Sequence, residues 1–196
     1  MIVNTTQKIT GHVIITDLDT GETLLDKFNS INFENFSISL ARSIANRPDS
    51  WIQEMVFGNG GASVSEIGTV TYLPPNTIGT SAQLYNETYY KVVDDQSPLN
   101  LDPTENYIQI AHSIGSTYSD VIVTCTLELG EPTNQEAFDN STNIQSAYNF
   151  NEIGLKAYSS NGPDSGNLLT HVIFSPIQKS LNRQIQVVYT IRIQTV

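Results

Sequence analysis

The sequence predicts a mainly β protein: an antiparallel β-sandwich with one flanking α-helix and long loops. Three observations lead there. Apolar and polar residues alternate over several long runs, most clearly in NRQIQVVYTIRIQTV, where Ile185, Val187, Tyr189, Ile191 and Ile193 share one face. One stretch, NSINFENFSISLARSIANRP, switches to helical spacing. Charged residues make up only 15% of the chain, which leaves a surface of Asn, Ser, Thr and Gln suited to strands and loops.

The elements follow in order. In KITGHVIITD, Ile9, Gly11, Val13 and Ile15 alternate as in a strand, DLDTGE supplies a turn, and TLLDKF returns as the second arm of a hairpin. The helix is predicted over 34–46, with Asn32 as N-cap and Asn46-Arg47-Pro48 as its stop. Its stripe of Phe33, Phe36, Leu40, Ala41, Ile44 and Ala45 should lie on a sheet. WIQEMVFGNGG reads as a strand covered on both faces, its glycines taking positive φ where the strand leaves the sheet. A loop over 58–83 includes YLPPNTIG and is too long for an ordinary turn. It is either a contact surface or a solvated insertion.

Further strands are expected in QLYNETYYKVVDD, in the pair YIQIAHSIG and YSDVIVTCTLELG, and in the pair YNFNEIGLKAYS and NLLTHVIFSPIQ, joined by SNGPDSG. The polar stretch 131–147 reads as a loop or short helix. Pro176 marks an edge strand or a bulge, because proline has no donor for the ladder. No repeat or linker divides the 196 residues, so they read as a single domain, 1–196, large enough to need no disulfide or metal staple.

Composition narrows the function. Twenty acidic residues against nine basic ones give a net charge of -11, without the basic footprint that nucleic-acid binding requires. Cys125 is the only cysteine, and its alternating run makes it a small buried hydrophobe rather than a reactive thiol. The start, MIVNTTQKIT, lacks a signal-peptide pattern, and no run reaches the roughly 18 apolar residues of a membrane span. A soluble protein made in a cytoplasm is expected.

Candidate chemistry fails on spacing. Counted from Asp17, DLDTGE puts Gly21 fifth and Phe28 twelfth, which breaks the calcium-loop pattern. FGNGG lacks the Lys-Ser/Thr pair of a phosphate loop. His12, His112 and His171 lack metal-ligand spacing. Asp94, Asp95 and Asp102 could serve glycoside hydrolysis, but loop carboxylates beside Pro and Asn are usually just solvated. Trp51, Tyr72, Tyr89, Tyr90 and Tyr118 could build a sugar platform, with core burial the default for most of them. The expectation is therefore a non-enzyme with no cofactor and no metal.

Three segments carry a resemblance. NSINFENFSISLARSIANR followed by WIQEMVFGNGGASV resembles an N-terminal signature of structural proteins from contractile-tailed bacteriophages. LYNETYYKVVD, after YLPPNT, resembles the segment that follows that signature. NEIGLKAYSSNG, LLTHVIFSPIQKS and IQVVYTIRI are similar to the closing pattern of domains that attach collar or fibre proteins to a phage tail.

The resemblance implies a virion structural protein, made in the host cytoplasm, at the neck or collar, tail or baseplate, with fibre attachment among its roles. A capsid decoration or cement protein and a glycan-binding module on the virion surface are the alternatives. The sequence ends at Val196 straight after the last strand, so a small accessory protein is expected rather than a long fibre. Its partners would be other virion proteins and copies of itself, with neither nucleic acid nor membrane. Contacts are expected on the long loop and an edge strand, at Asn59, Tyr72, Pro74, Pro75, Asn76, Tyr85, Asn86 and Pro176.

Overall fold

The computed structural model describes residues 6–64, 66–132 and 147–195. The expected loop or short helix over 131–147 falls almost wholly outside them. Strands β1 (Gln7–Asp17) and β2 (Thr23–Ile31) form the N-terminal hairpin. Helix α1 (Phe33–Ile44) follows, then β3 (Ile52–Gly58). A short hairpin, β4 (Ala62–Val64) and β5 (Val70–Tyr72), lies inside the expected long loop. Next come β6 (Glu87–Val92), β7 (Tyr107–Ala111), β8 (Tyr118–Leu127), β9 (Ala147–Ala157), β10 (Leu168–Ser180) and β11 (Ile185–Thr195).

Nine of these strands form one antiparallel sheet in the order β6-β3-β9-β10-β2-β1-β11-β8-β7. Where two stacked sheets were expected, this single sheet curls into a half-barrel. The alternation along each strand dictates which side chains turn inward. Ile185, Val187, Tyr189 and Ile191 of β11 meet Phe57, Phe150, Ile153 and Leu155 of β3 and β9 in one buried core. The ladder is shortest between β2 and β10. That strand pairs with β1 over Thr23–Asn29, but with β10 only through Ser30↔His171 and Ile31↔Thr170.

Helix α1 starts as expected. Asn32 has an extended backbone, and its side chain accepts the N–H of Asn35 at 3.1 Å. The helix stops at Ile44, two residues before the expected end, and Asn46 then takes φ 52°. Only part of the expected stripe lies on the sheet: Phe36 is buried in the core and Leu40 is half-buried, whereas Ala41 and Ala45 are exposed. Its buried residues are Asn35, Phe36 and Ser39, while Phe33 and Ile44 are 65% and 80% exposed. Asn35 accounts for the rotation: its Nδ2 donates to the carbonyl of Leu168 on β10 at 2.9 Å and so turns a polar edge of the helix toward the sheet.

Of the two readings of Pro176 the bulge holds, and the positive φ expected in FGNGG is corrected. Pro176 sits in a bulge between Ile173 and Ile177, within an interior strand, and the edges of the sheet are β6 and β7. The bulge removes the need for the ladder donor that proline lacks. Positive φ occurs at Gly21, Gly68, Gly79, Gly115, Gly130 and Gly162, and not in FGNGG. The glycines of FGNGG are needed for close approach instead. A Cβ on Gly60 would stand 2.6 Å from the backbone nitrogen of Asn86, and one on Gly61 would stand 2.9 Å from Ile173.

Candidate functional site

Strand β9 turns Ile153 and Leu155 into the core, so Glu152, Gly154 and Lys156 face the opposite side. That outer face is covered by the segment 59–86, which is why β3, β9 and β10 are buried on both faces. A small second core of Val56, Leu84 and Leu168 seals the cover.

The cover is held by one carboxylate. Oε1 of Glu152 accepts the N–H groups of Gly60 and Asn86 at 2.9 and 2.8 Å. Oε2 accepts the N–H of Tyr85 at 2.9 Å and lies 3.0 Å from Nε2 of His171. Nδ1 of His171 accepts the N–H of Asn76 at 2.8 Å. That bond occupies the Nδ1 lone pair, so the ring bears its proton on Nε2 and donates it to Glu152. The pair is therefore a carboxylate and a neutral imidazole, both fully buried. Burial acts to raise the Glu152 pKa. The bonds from His171, Asn86, Tyr85 and Gly60 outweigh it and hold the carboxyl below its ordinary 4.5. Asn151 adds a fifth tie, accepting the N–H of Gly61 at 2.9 Å.

Most of the expected interaction residues come together in this cover. Nδ2 of Asn86 donates to Oδ1 of Asn59 at 2.5 Å, the Tyr85 hydroxyl donates to the carbonyl of Pro74 at 2.8 Å, and Nδ2 of Asn76 donates to the carbonyl of Gln83 at 3.1 Å. The Tyr72 hydroxyl lies 3.0 Å from Oγ of Ser175, the residue before Pro176. Tyr72 and Pro75 stand beside residues of β2 and β10. Together with Lys27, Phe28, His171 and Ser175 they line a cleft of about 240 Å³. Phe28 is 76% exposed beside it. The geometry suits presentation of a fixed, mostly neutral surface, since the ionisable pair beneath it is sealed from solvent.

Glu152 and His171 were not foreseen as a pair. The available signal was an ionisable residue in the middle of each of two apolar runs, FNEIGL and LLTHVIF, because such residues are buried only with partners.

The turn of the same hairpin holds a second cluster. Nζ of Lys156 lies 2.8 Å from Oε2 of Glu87 and 2.5 Å from Oδ1 of Asp164. Both carboxylate oxygens of Glu54 accept the N–H of Asp164, at 3.1 and 2.9 Å. Lys156 thus contacts the acidic side chains of Glu87 and Asp164, and Glu54 holds the backbone of Asp164 beside them. Burial, followed by the hydrogen bond to Asp164, pushes Glu87 up to about 8 against the pull of Lys156. Burial also raises Glu54.

The carboxylates weighed for hydrolysis cap turns and edges. Asp94 accepts the N–H of Gln96 at 3.0 Å, Asp95 that of Ile108 at 3.3 Å, and Asp102 the hydroxyl of Thr104 at 2.8 Å. Among the aromatics, Tyr89 is buried, Trp51 stacks on Tyr158 and Tyr118 lies under Arg192. Among the described residues, no three His, Cys, Asp or Glu side chains are placed to hold a metal ion, and no helix is long and apolar enough to cross a membrane. Comparison with protein-family models, with curated proteins and with solved structures found no match.

Proposed function

We propose that this chain is a non-enzymatic structural component of a tailed-phage particle, acting through protein–protein contacts at the neck or collar, tail or baseplate. One observation supports assembly above all: the Glu152 clasp. Every acceptor site it uses is directed at the chain's own main chain or at His171, so the clasp fixes a surface and exposes no reacting group. A surface fixed in advance loses little conformational freedom when it docks. The phage reading itself rests on the sequence resemblance. The fold is read as a sandwich opened on one side, with its two halves hinged at the two-pair joint of β2 and β10.

The test is quantitative mass spectrometry of purified virions whose genome encodes this chain, separated into heads and tails. The chain is expected with tails or necks at a low, symmetry-set copy number. Hundreds of copies on heads would favour a decoration or cement protein instead. Absence from washed virions would refute the proposal.

A further inference from the structure

A cleft of about 770 Å³ lies between α1, the start of β3, the loop after β6 and the inner faces of β7, β8 and β11. Its walls are apolar, with Phe36, Leu40, Trp51, Ile108, Ile110 and Ile193 prominent. Phe36 and Leu40 of α1 form one wall of the cleft, with Phe36 also packed into the core.

Three features describe an occupant. Exposed apolar side chains stand in the cleft and on residues that adjoin its lining in sequence. Ile110 on one wall is 78% exposed, and Ile44 and Leu99, next in sequence to the lining residues Ser43 and Pro98, are 80% and 51% exposed. That breadth exceeds a small ligand and fits a polypeptide. Next, the outer edge of β7 pairs with no strand among the described residues. Ile108 directs its N–H outward to Asp95, and by the alternation of an antiparallel ladder Ile110 points its N–H and C=O the same way. Last, the ionisable side chains lining the cleft are two acids, Asp94 and Asp95, together with the phenol of Tyr158. A second copy of this chain, with its net charge of -11, would bring acid to acid.

We infer that this cleft is a docking site for an extended segment of a different protein, which adds to the outer edge of β7 as a strand and displaces the Asp95 carboxylate from the N–H of Ile108. Its alternate side chains are large and apolar and enter the cleft, and it carries a Lys or Arg that meets Asp94 and Asp95. Main-chain bonds to an open edge supply affinity, and pockets for every second side chain supply selectivity. The inference borrows from the assembly reading only that the partner is a polypeptide. It is tested on the purified chain, so its failure and the failure of the virion assignment are separate results.

The probe is a library of eight-residue peptides alternating a randomised apolar position with a randomised polar one, selected against the full chain. Trp51 is the only tryptophan and lines the cleft, so its emission reports occupancy directly. Enriched peptides should carry Lys or Arg and should shift Trp51 emission saturably. Binding should weaken about threefold or more in the Asp94→Asn/Asp95→Asn double variant, the size expected for two exposed charge pairs. It should weaken by tenfold or more in Ile110→Asp, a surface change that does not threaten folding. No enrichment over the Ile110→Asp control overturns the inference. So do enriched peptides without basic residues, or affinity unchanged in the Asp double variant. A wild-type dimer that Ile110→Asp converts to monomer, seen by light scattering, overturns it in favour of a second copy.

Discussion

Replacing Glu152 by Gln changes one atom in the clasp and reverses half of its hydrogen-bonding capacity. The amide oxygen can keep two of the four bonds, for example those from Gly60 and Asn86. The amide nitrogen then faces the N–H of Tyr85 and the protonated Nε2 of His171, two donors with nothing to accept them. Turning the amide over moves the conflict to the other pair. His171 cannot relieve it by changing tautomer, because Nδ1 already accepts from Asn76. An unsatisfied buried donor costs about 1–3 kcal/mol, so Glu152→Gln should lose about 2–6 kcal/mol. Urea denaturation at pH 7 measures the loss. Hydrogen exchange at Gly60, Asn76, Tyr85 and Asn86 should quicken more than at core positions such as Val187. Acid provides a second check. The folded carboxyl titrates below 4.5, so its contribution is complete above pH 4.5 and is lost as pH falls through the folded value. The variant should lack that step. A loss under about 1 kcal/mol, with exchange unchanged, would refute the reasoning.

The remaining predictions concern other parts of the same hairpin and core. Glu87 keeps its proton in the folded chain up to about 8, against 4.5 as a free group. Folded chains therefore bind more protons than unfolded ones in that window, and stability falls as pH rises, by up to about 1.4 kcal/mol per unit, levelling off above it. Glu87→Gln should flatten that slope and leave the variant about 2 kcal/mol or more ahead of wild type at pH 9, as read by denaturation across pH 5–9. A slope identical to wild type would show that Glu87 is ionised in the fold. Gly60→Ala places a methyl against the backbone of Asn86 and should cost about 1–3 kcal/mol, with faster exchange at the amides that Glu152 holds. The Cys125 thiol is fully buried, and burial pushes it up to about 12. A thiol reagent should leave it unmodified in the folded chain and label it fully in urea, and rapid native labelling would contradict the burial.

Local signals were legible in the sequence. Alternation located the strands, the DLDTGE turn gave the first hairpin, and Asn32 marked the start of the helix, because each depends on residues a few positions apart. The run of three glycines and the length of the 58–83 segment pointed to a special region, and the neutral polar loop residues chosen there do gather in one network. The reason for the glycines was misread. Their role is set by Asn86 and Glu152, which approach from distant parts of the chain.

The sequence by itself determined a mainly β chain with few charged residues, one helix and a long polar segment. Those properties follow from side-chain periodicity and composition, which need no partner in space. Only the tertiary structure decided that the strands join into one curled sheet, that Pro176 sits in an interior bulge, and that only Phe36 and Leu40 of the helix stripe turn inward. It also decided that Glu152 and His171 meet. Pairing order, curvature and buried polar contacts are set by residues far apart in sequence, and a local pattern carries no record of which strand will lie beside it.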